Sequence, residues 1–154
     1  MWTGGELSDY GVVFWVKRFS KFACYNFKTF GNVGGNAELE TIAGPITTGI
    51  VSGRVVAKTN GGTIDIREAK GELEATTLAG DIVIGISDFT RVRTAGGNIS
   101  AEFVSGPFVG STDLGNIRIG HAESYIEATA GIGDIEIRMA PVSLDGDLHV
   151  RLTN

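Results

Sequence analysis

The residues that could do chemistry in this chain are two histidines, one cysteine and a scatter of carboxylates, and their spacing works against every common catalytic arrangement. His121 and His149 stand 28 residues apart, so they are not expected to face one another. Cys24 is the only cysteine, which excludes an intrachain disulfide and any Cys-based metal site. No Ser-His-Asp set, metal-ligand spacing or phosphate-cradling loop can be drawn. The Gly-Gly pairs open strands rather than helices and lack the helix terminus that binds anions. Some β-helical proteins cleave acidic polysaccharides with stacked acids and bases on one face. Here Asp65, Glu74, Glu127 and Glu136 are expected in different columns, with no base among them. The Gly-Gly-x-Gly-x-Asp run of calcium-binding nonapeptides is absent as well. The sequence therefore predicts no catalytic residue, no metal and no cofactor.

What must position these side chains is a repeat. Glycines fall at 35, 44, 53, 62, 71 and 80 in steps of nine, and after a one-residue deletion resume at 97, 106 and 115, then 133. Alternate units differ, so the period is 18. One half reads Gly62-Thr-Ile-Asp-Ile66, Gly80-Asp-Ile-Val-Ile84, Gly97-Asn-Ile-Ser-Ala101, Gly115-Asn-Ile-Arg-Ile119 and Gly133-Asp-Ile-Glu-Ile137. The other half pairs Val55 with Ala57, Leu73 with Ala75, Phe108 with Gly110 and Ile126 with Ala128, and ends in Thr59, Thr77, Thr94 or Thr112, three residues before the next glycine of the step.

Within each unit apolar and polar residues alternate over four to six positions, the mark of a strand with one buried face. Copies 18 residues apart can stack as parallel strands about 4.8 Å apart. Ile64, Ile82, Ile99, Ile117 and Ile135 then form one inward ladder, and Ile66, Ile84, Ala101, Ile119 and Ile137 its neighbour. Ala57, Ala75, Gly110 and Ala128 supply small partners, so two walls can close without voids. Outside, Glu74 with Arg91 and Arg118 with Glu136 are equivalent positions one coil apart. The Gly-Asp, Gly-Asn and Gly-Thr pairs suit tight bends. The threonines before them fit either a hydrogen-bonded ladder or a plain β-branched preference.

The fold class predicted is all-β, a parallel β-solenoid of about six 18-residue coils over residues 35–154, preceded by a cap or leader at 1–34. That first segment holds both Trp, Tyr10, Tyr25 and five of the eight Phe. Its stretch from Gly11 to Phe30 suits strands by composition and a helix by spacing. An aromatic cap would shield the open end of the first coil from end-to-end self-association. At the other end Leu144, Leu148, Val150 and Leu152 suggest a last strand pair after Pro141.

The formal charge is −5. Residues 1–34 carry four bases against two acids, and the remainder nine bases against sixteen acids. An acidic body without a basic stripe predicts no nucleic-acid partner. Val12 to Val16 is an apolar run of five whose positive charges follow it, so no export signal and no transmembrane segment are expected in the chain.

The bends from Thr59 to Ile64, Thr77 to Ile82, Thr94 to Ile99 and Thr112 to Ile117, with Ala130 in place of Thr before Ile135, resemble those of the bacterial adhesin-like domains of unknown function. The resemblance covers roughly residues 35–140. It implies a parallel β-solenoid at the cell envelope or outside the cell, a non-enzymatic module in contact with a protein or a glycan. A rival expectation is a cytoplasmic scaffold that polymerises coil to coil, as the β-helical bactofilins are thought to do.

Overall fold

A strand that alternates apolar and polar residues buries one face, and a chain that repeats it every 18 residues can bury that face against its own copies. The computed structural model describes residues 12–16, 20–24, 28–139 and 150–153, with burial described for 31–139. It is an all-β parallel solenoid. In chain order the strands are β1 (Val12–Val16), β2 (Ser20–Cys24), β3 (Lys28–Val33), β4 (Ala37–Ala43), β5 (Ile46–Val51), β6 (Val55–Gly61), β7 (Ile64–Ala69) and β8 (Leu73–Ala79). They continue as β9 (Ile82–Ser87), β10 (Thr90–Gly96), β11 (Ile99–Val104), β12 (Phe108–Leu114), β13 (Ile117–Ala122), β14 (Ile126–Ile132), β15 (Ile135–Met139) and β16 (Val150–Thr153). The odd-numbered strands form one eight-stranded sheet and the even-numbered strands the other. From Gly35 onward the chain winds through about six coils, as the glycine spacing predicts.

The predicted ladders stand in register. Ile46, Ile64, Ile82, Ile99, Ile117 and Ile135 make one column of the odd sheet, and Thr48, Ile66, Ile84, Ala101, Ile119 and Ile137 the next. Ile46 and Thr48 each extend their column by one rung. In the even sheet the small column runs Leu39, Ala57, Ala75, Val92, Gly110 and Ala128. The residues of this small column, and the isoleucines of the two odd-sheet columns from Ile46 to Ile119, are buried. Gly110 is small for a reason local to its strand: a Cβ there would meet the Phe108 ring at 2.5 Å. Phe108 thus fills the room that Leu73 with Ala75 and Ile126 with Ala128 fill in other coils.

The corner glycines are required by close approach. A Cβ on Gly97 would overlap the carbonyl oxygen of Gly80, and one on Gly133 that of Gly115. Gly133 also has φ 143°, outside the usual range of an L side chain. The hydroxyls of the preceding threonines donate back to this glycine column: Thr59 to Gly44 O at 3.2 Å, Thr77 to Gly62 O at 3.2 Å, Thr94 to Gly80 O at 3.0 Å and Thr112 to Gly97 O at 2.8 Å. The hydrogen-bonded role is therefore real, but the acceptor is the neighbouring coil's backbone rather than another threonine.

The Asp and Asn after the glycines also bond between coils. The Asp81 carboxylate accepts from the Asn98 N–H at 2.7 Å, the Asn98 side-chain oxygen from the Asn116 N–H at 2.9 Å, and that of Asn116 from the Asp134 N–H at 2.7 Å. The one-residue deletion falls at the opposite corner, where only Asp88 and Phe89 link β9 to β10. Inside this short corner the buried Thr90 hydroxyl donates to Ser87 Oγ at 2.7 Å, so two polar side chains occupy core columns and satisfy each other.

Of the segment assigned to a cap, β1, β2 and β3 join the two sheets: β1 pairs with β3, β3 with β5, and β2 with β4, all parallel. Strand, not helix, is the outcome for those stretches. The aromatic residues at Trp2, Tyr10 and Tyr25, on which the cap rested in part, lie outside the described residues. At the other end Val150 and Leu152 lie on β16, paired with β14, while Leu144 and Leu148 lie outside the described residues. No helix among the described residues is long and apolar enough to cross a membrane.

Candidate functional site

Because the core takes up the inward positions, a site among the described residues is built from outward columns and corners. His121 lies at a corner of the odd sheet, on β13. Its ring stacks on Phe103 with centroids 5.0 Å apart and planes 11° from parallel, and its Nε2 is 3.6 Å from Glu123 Oε1. Packing between rungs accounts for its orientation. His149 lies outside the described residues.

The four acids fall in two different columns. Asp65 and Glu136 share an outward column of the odd sheet with Val83, Ser100 and Arg118 between them, a span of about 19 Å. Glu74 and Glu127 share a column of the even sheet with Arg91 and Val109 between them. The two pairs therefore lie on different sheets. Glu136 pairs with Arg118 at 3.3 Å, as register predicts, and with Arg138 at 3.0 Å. Glu74 is in register with Arg91, yet its carboxylate meets Arg54 at 3.2 Å. Arg54 also reaches Glu72, at 3.2 Å. Arg91 instead places its guanidinium 5.9 Å from the centre of the Phe89 ring. Among the described residues, no three His, Cys, Asp or Glu side chains are grouped so as to hold a metal ion.

The odd sheet carries a shallow groove of about 450 Å³ on its outer face, lined by Thr47, Thr48, Gly49, Asp65, Arg67, Val83, Gly85 and Glu102. Its shape follows from one column, in which Gly49, Arg67, Gly85 and Glu102 succeed one another on adjacent rungs. Arg67 and Glu102 stand on either side of the bare Gly85 backbone, two rungs or about 10 Å apart. Val83, exposed at 38%, forms an apolar part of the lining. A cation, two acids, a hydroxyl and an apolar patch around a glycine notch can hold a polar chain by hydrogen bonds and contact. Sequence reading missed this notch, although Gly49 and Gly85 standing at strand positions was the available signal.

Comparison of the chain with family models, with curated proteins and with solved structures gives no match.

Proposed function

We propose that this chain is a non-enzymatic surface module, an adhesion-like domain of a bacterial cell envelope, whose outer sheet faces make contact with a protein or a glycan. The observation that carries the reading is the division between the two sides of each strand. Inward columns are committed to packing, while outward ones hold varied polar groups, including the notch between Arg67 and Glu102. A rigid parallel sheet offers such groups at fixed spacing, which lowers the ordering cost of binding an extended ligand. The test is co-sedimentation with purified cell-wall and outer-membrane fragments. The intact protein should pellet with one of them, and an R67A/E102A variant of unchanged melting temperature should pellet less.

A second reading, the cytoplasmic scaffold of bactofilin type, is favoured by the ends of the solenoid. Among the described residues, strands β1 and β2 at one end, and β15 and β16 at the other, are the outermost of their sheets, and an edge strand offers unpaired backbone groups to another chain. Concentration-dependent filaments in electron micrographs would support it. A monomer that binds envelope fragments would support the surface module.

A further inference from the structure

We propose that the outer face of the even sheet carries a binding track for an acidic glycan, with Arg91 and Arg93 as its anchors and a line of hydroxyl groups along the solenoid axis as its bed. The inference rests on the reading of the sheets as contact surfaces and names the ligand chemistry for one of them.

Both arginines lie on β10, exposed and two residues apart on the same face, so their Cα atoms are separated by about 7 Å. Arg54, Arg118 and Arg138 each meet a glutamate within 3.3 Å. Among the described residues Arg91 and Arg93 meet none. The acid in register with Arg91 is drawn away from it by Arg54. The Arg91 guanidinium rests over Phe89, which orders the head group and leaves its N–H edges for a ligand.

The column through Arg93 reads Lys58, Thr76, Arg93, Ser111 and Thr129 on successive rungs. It is free of acids for about 19 Å. Lys58 is exposed, and the hydroxyl residues are half-buried. A guanidinium presents a planar fork that fits the paired oxygens of a carboxylate or sulfate. The intervening hydroxyls donate and accept, as sugar hydroxyls require. The net charge of −5 means that the protein as a whole does not attract polyanions, so any such affinity is local to this track. A nucleic acid fits less well, since it needs clustered cations along its phosphates and stacking faces for its bases.

The test is affinity electrophoresis of the full chain through gels containing polygalacturonate, dextran sulfate, neutral dextran or oligothymidylate. Retardation by polygalacturonate identifies the oxyanion as carboxylate, and retardation by dextran sulfate as sulfate. Neutral dextran should have no effect. An R91Q/R93Q variant should bind the retarding polymer about tenfold more weakly or worse. R93Q alone, which leaves the Phe89 contact in place, should also weaken binding without lowering the melting temperature, and R118Q on the other sheet should bind as the parent does. The proposal is overturned if neither acidic polymer retards the protein, if R91Q/R93Q is retarded as strongly as the parent, or if oligothymidylate is bound more tightly than both. Should the acidic polymers fail while envelope fragments still bind in an Arg67- and Glu102-dependent way, this track is refuted and the surface-module reading stands.

Discussion

One column of the odd sheet carries the same side chain at Ile46, Ile64, Ile82, Ile99 and Ile117, whereas one column of the even sheet runs Val55, Leu73, Thr90, Phe108 and Ile126. Both are buried throughout. In the first, packing is solved once and repeated. In the second it is solved rung by rung, with Gly110 making room for Phe108 and Ser87 satisfying Thr90. The first column repeats one solution, and the second carries Phe108 and Thr90, each accommodated by its own partner.

The largest effect should come from breaking the uniform column. Ile82→Ala leaves a gap between Ile64 and Ile99, which are held on their own rungs, and should cost about 2 to 5 kcal/mol in chemical denaturation. Amide exchange should quicken on β7 and β11 as well as β9. Next, Gly110→Ala drives a methyl group against the Phe108 ring and should cost about 1 to 3 kcal/mol. The double change F108I/G110A reproduces the Ile126 with Ala128 arrangement of the next coil and should recover most of that loss, and no recovery would sink the idea of rung-by-rung compensation.

A similar test applies at the short corner. Thr90→Val removes the donor to the buried Ser87 Oγ and should cost about 1 to 2 kcal/mol, while S87A/T90V, which removes both polar groups, should lie closer to the parent. Thr48 gives the opposite sign. Its buried hydroxyl has no hydrogen-bond partner among the described residues, so Thr48→Val should raise stability by about 1 kcal/mol, read as a higher denaturation midpoint. The smallest effect belongs to the outer face. Glu136→Gln, which weakens the exposed pairs with Arg118 and Arg138, should change stability by about 0 to 1 kcal/mol, less still at high salt.

The amino-acid order by itself determined the period, the alternating strands between Gly35 and Met139 and the stacking of the isoleucine ladders. Alternation of apolar and polar positions and the glycine punctuation are local signals, and a fixed period carries them from coil to coil. It also placed Arg118 opposite Glu136. Only the tertiary structure decided where the polar groups turn. The threonine hydroxyls go to glycine carbonyls, the Asp and Asn side chains to the next coil's N–H groups, and Glu74 to Arg54 rather than Arg91. The strand pairing of β1, β2 and β3 was likewise hidden, since their sequence lacks the nine-residue glycine step. Each of these depends on what another turn of the chain places within hydrogen-bond reach, and on the offset that each corner gives its strand, neither of which a single repeat unit encodes.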